Sequence, residues 1–236
     1  MLFSGLVVPL SVHAVTGVNS LNLNKSDGNM LKILGRASSI NVRKVLWACE
    51  ELGVAFEREE WGDGTKSPQQ AEFKALNPNA LMPVIQEADF ILWESNAIIR
   101  YLANAYDGGW LYSQDPRARG LVDQWIDWQA TELNTSWRYA FMSLVRHSPA
   151  HQDPRLLAAA CKGWNYTMAI LNQQLEKTGA YVTGNTFTLA DIPIGLSVNR
   201  WFETPMDHPE LPAVRAYYER LTKRKGYAHW GRNGMP

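Results

Sequence analysis

Residues 79–102, NALMPVIQEADFILWESNAIIRYL, hold an unusual concentration of groups that can receive a small peptide. Pro83 follows Met82 at the start of an apolar, partly β-branched run, where a missing N–H is tolerated and the bond before proline can be cis. A cis Met82–Pro83 bond turns the main-chain N–H and C=O of Met82 outward, ready to pair with an extended ligand as one more strand would. Glu94 supplies a negative charge for an amino group. Ser95 stands at a predicted helix start, where it can cap the helix and where free N–H groups and the positive dipole end suit a carboxylate. The corner therefore suits a peptide with a free α-amino-acid end. A proline-initiated hairpin with an ordinary helix cap would show the same residues, so the elements around them matter.

Those elements follow a pattern. An apolar strand over 31–34 leads to a helix from residue 41, in which Val42, Val45, Leu46, Cys49 and Leu52 share one face and Gly53 ends the helix. A strand over 54–59 follows, then a glycine-bearing loop over 61–67 and a short helix over 69–76. Residues 82–85 and 90–93 form a hairpin about Ala88-Asp89, and a helix over 97–105 comes next. This is a βαβ unit joined to a hairpin: a four-stranded mixed sheet with helices packed on it. Residues 107–114, with Asp107-Gly108-Gly109, read as a linker. From 115 to 236 only helices are predicted: an amphipathic run to about residue 146 with Trp125 and Trp128 in its core, another from Pro154, one from Thr188 to about 201, and one over 212–222. Thr188 and Asp191 form a capping box that is structural in role; Pro193 is expected to bend its helix. The fold class is α/β followed by an all-α helical bundle, with domains over 30–106 and 115–236. Residues 1–29 stand outside this pattern and read as a disordered extension or an upstream start; a signal segment is the alternative, although no basic residue closely follows Met1.

LNPNALMPVI followed by WESNAIIRYL resembles the glutathione-binding half of the cytosolic glutathione S-transferases, and the likeness runs from about residue 30 nearly to the C-terminus. It implies a thioredoxin-like first domain, in which Met82 before the cis Pro83 pairs with the cysteinyl backbone of glutathione while Glu94 and Ser95 hold the γ-glutamyl end. It also implies conjugation of glutathione to small hydrophobic electrophiles. That reaction needs a thiolate, and a thiol of pKa ~8.5 is only a few per cent ionised at neutral pH. A hydroxyl at a helix N-terminus favours the anion through a hydrogen bond and the dipole together. Ser38-Ser39-Ile40-Asn41 is such a place. The serine-type (theta- or phi-like, bacterial) pattern puts the catalytic serine at Ser39, with Ser38 its open alternative and Asn41 an orienting group. No Tyr or Cys lies in this segment, which argues against the tyrosine-type and thiol-exchange branches.

The sequence departs from relatives before the proline, where Ala80-Leu81 stands. The glycyl carboxylate then needs another partner: Lys66 is the candidate and Arg36 the weaker one. Trp137, Arg138, Tyr139 and Phe141 offer surface for the second substrate. No metal or cofactor is expected, glutathione being a co-substrate. Lys plus Arg and Asp plus Glu are 23 each, and no basic block exists for nucleic acid. The two cysteines, Cys49 and Cys161, have no ligand spacing and read as buried hydrophobes of a reducing compartment. The expectation is a cytoplasmic homodimer with no membrane partner. The alternatives are a non-catalytic glutathione-binding or interaction module on the same fold, or a glutathione-dependent isomerase or dehalogenase.

Overall fold

The computed structural model describes residues 30–234 and 236, so the extension predicted over 1–29 lies outside the described residues. Strands β1 (Leu31–Leu34), β2 (Phe56–Glu59), β3 (Val84–Glu87) and β4 (Phe90–Trp93) form one sheet in the order β2-β1-β3-β4. β1 runs parallel to β2, with Leu31 opposite Phe56, and antiparallel to β3, with Leu34 opposite Val84. The parallel pair requires a crossover, and α1 (Ile40–Leu52) supplies it. The hairpin turns at Ala88, whose φ is 53°.

Strand alternation divides the core. Leu31, Ile33 and Ile85 face α1 and α3 (Ser95–Ala105), where Val42, Val45, Ile98, Ile99 and Leu102 are buried. On the other face Leu34 and Val84 are covered by Trp61 and by Phe73 of α2 (Ala71–Leu76). This is a thioredoxin-like layer, and the rest of the chain is helical: α4 (Pro116–Trp128), α5 (Asn134–Leu144), α6 (Pro154–Thr178), α7 (Asp191–Glu203), α8 (Pro212–Leu221) and α9 (Lys225–Trp230).

Local chemistry accounts for most of these boundaries. Asp115 and Asp153 cap α4 and α6, accepting from Ala118 N–H at 2.8 Å and Arg155 N–H at 2.8 Å, with proline next in each helix. Gly53 and Gly179 end α1 and α6 at φ 65° and 77°. Four expectations need correction. The run predicted to about residue 146 carries a π-helical turn, Gln129–Leu133, which rotates the helix and turns Gln129 inward. Ser95 is the first residue of α3 and Glu94 holds the cap position, because the chain reverses at Glu94 with φ 71°. Pro193, expected to bend its helix, lies within the first turn of α7, where its missing N–H removes no intrahelical hydrogen bond. The final helix α9 has no counterpart in the predicted elements.

Trp47 of α1 joins the two domains. Its ring is fully buried against Phe187 and Tyr227, at centroid distances of 5.7 and 4.9 Å. Gly195 in α7 admits it: a Cβ there would lie 3.1 Å from the ring and 2.7 Å from Leu221 Cδ1. Burying a tryptophan of this kind is worth about 3–5 kcal/mol by the cost of truncating one to alanine. Because Trp47 stands on the helix that begins at Ser39, the same packing fixes the helix carrying the candidate nucleophile-activating group.

Candidate active site

Ser39 occupies the N-cap of α1 with extended backbone, φ −81° and ψ 124°, yet its side chain makes no capping hydrogen bond. An ordinary N-cap serine would accept from an N–H of the first turn. The Ser39 hydroxyl is half-buried and makes no hydrogen bond with a described residue, beside a helix end with no acidic residue in its first turn to cancel the dipole. Ser38 is exposed in the preceding turn, which closes by the Ser39 N–H donating to Arg36 C=O at 3.1 Å.

The Met82–Pro83 bond is cis, and Met82 lies outside the β1–β3 ladder, with neither main-chain group paired to a described residue. Its side chain fits against Gly35 (φ 148°) and Gly62 (φ 81°), where any Cβ would meet Met82 atoms. Buried Asn77 shapes the approach: its Nδ2 donates to Leu81 C=O at 2.7 Å and its Oδ1 accepts from Asn79 N–H at 3.1 Å. That positioning role is a site feature the sequence reading missed, although an Asn before Pro-Asn is turn chemistry.

Glu94 and Ser95 stand where β4 meets α3. Glu94 is exposed and makes no ion pair with a described residue, and its positive φ costs roughly 1–3 kcal/mol for a residue with a side chain. Such strain is held where the surroundings over-determine the backbone. Ser95 is buried, and its Oγ donates to Asn41 Oδ1 at 3.4 Å, which ties the start of α3 to the start of α1. The structure thus brings Ser39, Asn41, Glu94 and Ser95 to one edge of the domain, where the N-termini of two helices converge.

The remaining candidates are more dispersed. Lys66 pairs with Glu59 and lies over the Trp61 ring at 5.2 Å, so its charge is already engaged. Arg36 donates to Gly62 C=O at 2.7 Å and leaves its buried Nε without a partner among the described residues. Trp137 and Phe141 meet edge to face at 5.3 Å, Arg138 is exposed, and the Tyr139 hydroxyl accepts from Asp153 N–H at 3.1 Å in the turn before α6.

A second feature escaped the sequence reading. Lys44 is buried at the domain boundary and donates to Asn96 Oδ1 at 3.1 Å and Gln129 Oε1 at 3.0 Å; Gln129 Nε2 donates onward to Ser197 Oγ at 3.0 Å. Burial pushes its ammonium down to about 7, with Arg200 pushing the same way and Glu94 opposing. Its only sequence signal was one lysine on an otherwise apolar helix face. Among the described residues no group of three or more His, Cys, Asp or Glu could hold a metal, and no helix is long and apolar enough to cross a membrane.

Residues 30–104 match the family model described as Glutathione S-transferase, N-terminal domain. The chain is 35% identical over 197 residues to glutathione S-transferase GstB of Escherichia coli (strain K12), covering 83% of this chain and 94% of that one. It is similar, at TM-score 0.80 and 38% identity, to a theta class glutathione S-transferase from Xanthomonas axonopodis pv. citri solved with glutathione bound, over 86% of this chain and 97% of the other. It is also 27% identical to elongation factor 1-gamma 2 of Oryza sativa subsp. japonica, over 79% of this chain but 45% of that protein. The chain belongs to the glutathione S-transferase family and is an enzyme of that class.

Proposed function

We propose that the chain conjugates the thiolate of glutathione to small hydrophobic electrophiles and that the Ser39 hydroxyl stabilises that thiolate. The observation that carries this reading is the N-cap serine whose hydroxyl is not used by its own helix. Glutathione would lie with its cysteinyl backbone along Met82, beside Pro83, and with its γ-glutamyl end at Glu94 and Ser95; Asn41 orients the Ser95 side of the site. Each unit by which the thiol pKa falls requires about 1.4 kcal/mol of preferential thiolate stabilisation. One charge-assisted hydrogen bond of roughly 1.5–3 kcal/mol, with the helix dipole, supplies one to two units. No cofactor besides the co-substrate enters the scheme. Exposed Phe90, Ile91 and Trp93 on the edge strand β4 support a homodimer, and the two free cysteines support a reducing, cytoplasmic setting.

The test is the ultraviolet absorbance of the thiolate in bound glutathione, titrated with pH in the native protein, Ser39→Ala and Ser38→Ala. The expected result is a depressed pKa that only Ser39→Ala restores, with conjugation of an aryl halide falling about ten- to hundredfold. An unshifted thiol in all three proteins would instead favour the binding-module reading, for which the similarity to elongation factor 1-gamma 2 is the specific ground.

A further inference from the structure

Arg200, in the middle of α7, is 3% exposed and carries no ion pair with a described residue. Its guanidinium stacks 4.4 Å from the Trp137 ring centroid and 4.1 Å from that of Phe141. Its Nε has no hydrogen-bond partner among the described residues, and neither has the Trp137 indole N–H, although both are buried. A guanidinium keeps its charge at neutral pH. Two orphaned donors and an uncompensated charge in one place are costly unless something accepts from them.

The surroundings deepen the imbalance. Burial pushes the Arg200 guanidinium down to about 9, and Arg43 and Arg146 lie near enough to push the same way. Arg43 is itself turned to the C-terminal tail, donating to Pro236 C=O at 2.9 Å, and Arg146 is exposed at the outer side. Lys44 donates to Asn96 Oδ1, beside Ser95, and through Gln129 is linked to Ser197, one helical turn before Arg200 on α7, so the cationic group adjoins the glutathione corner. Arg43 and Lys44 stand four and five residues after Ser39, roughly 6–8 Å along the same helix.

We propose that this cluster is an anion subsite for the second substrate: the enzyme takes electrophiles that carry a carboxylate or similar oxyanion, held by Arg200 and the Trp137 N–H while the electrophilic carbon faces the thiolate. The inference rests on the transferase reading above and names its substrate class. The planar fork of Arg200, fixed between two rings, matches two carboxylate oxygens. For an aryl chloride the thiolate sulfur bonds to the ring carbon and chloride leaves with its electron pair, so no other reactant is needed.

The experiment compares 4-chloro-3,5-dinitrobenzoate with its methyl ester as substrates of the full chain, and measures calorimetric binding of unreactive 3,5-dinitrobenzoate. In the native protein KM for the carboxylate is expected to be at least about tenfold below that of the ester. Arg200→Gln should bring that ratio near unity, and Trp137→Phe and Arg146→Gln should lower it in part, which keeps the test available if the buried substitution impairs folding. Equal KM values in the native protein, or a ratio unmoved in every folded variant, would overturn the subsite and leave a buried structural cation. If neither compound turns over, the transferase reading fails by itself, and the calorimetry still decides the subsite: binding of the dinitrobenzoate but not of 1,3-dinitrobenzene supports it, and equal binding or none rejects it.

Discussion

Lys44 Nζ lies 3.0 Å from Gln129 Oε1, so a buried amine of the first domain donates to a buried amide at the π-helical turn of the second. The contact links the helix that begins at Ser39 to the helices that carry the residues proposed for the second substrate. It also places a titratable group in the domain interface.

That group gives the protein a pH signature. The folded Lys44 pKa, about 7, lies below its unfolded value of ~10.4, so between these values the unfolded chain binds the extra proton and stability rises with pH. Below pH 7 both states are protonated and the cost of burying the charge is fully present. Relative to Lys44→Met, the native protein should therefore gain roughly 2 kcal/mol of unfolding free energy from pH 7 to 9. Urea denaturation of both proteins checks this; a constant difference would mean that Lys44 titrates normally. The scan stops at 9 because burial and the Glu87 carboxylate raise Tyr101 and Tyr106, which begin to bear on stability above that range.

Glu94 separates stability from function. Its φ of 71° favours glycine, so Glu94→Gly should be about 1–2 kcal/mol more stable than Glu94→Ala by thermal or chemical unfolding. Both variants should raise KM for glutathione by roughly tenfold or more, since each loses the carboxylate that would meet the amino group. Unchanged KM in both would remove Glu94 from the glutathione site while leaving the strain argument intact.

Asp191 should be indispensable to folding and irrelevant to chemistry. Its fully buried carboxylate accepts from Val182 N–H at 3.0 Å, Thr188 N–H at 2.8 Å, Thr188 Oγ at 3.2 Å and the Tyr217 hydroxyl at 3.0 Å. Burial raises it, to about 6, and these donors pull the other way. Asp191→Ala strands several buried donors at ~1–3 kcal/mol each. The expected loss is about 3 kcal/mol or more, read from urea midpoints or from the soluble fraction; any variant that still folds should keep its KM for glutathione.

Much of the architecture was legible because it is written locally. Alternation marked the hairpin, helical spacing marked α1, Pro154 marked the start of α6, and Gly53 marked the end of α1. The Met82-Pro83 and Glu94-Ser95 blocks were legible for the same reason, since the residues involved lie within one short segment. Local signals erred by shifts in phase and by one omission: Ser95 stands one place inside its helix because the strain falls on Glu94, the π-helical turn interrupts an amphipathic pattern that shows no break, and the six-residue α9 is too short to show a period.

Only the tertiary structure decided which charges meet. Lys44, Gln129, Ser197 and Arg200 come from three helices spread over more than half the chain, and no periodicity says which polar groups on apolar faces will share a buried interface. Nor could the sequence say whether the Ser39 hydroxyl caps its own helix, because that depends on a side-chain rotation and not on residue type. The sequence determined the layers and the kind of ligand corner they hold. Packing of α1 against α7 and α9, through Trp47, determined where its buried cations face.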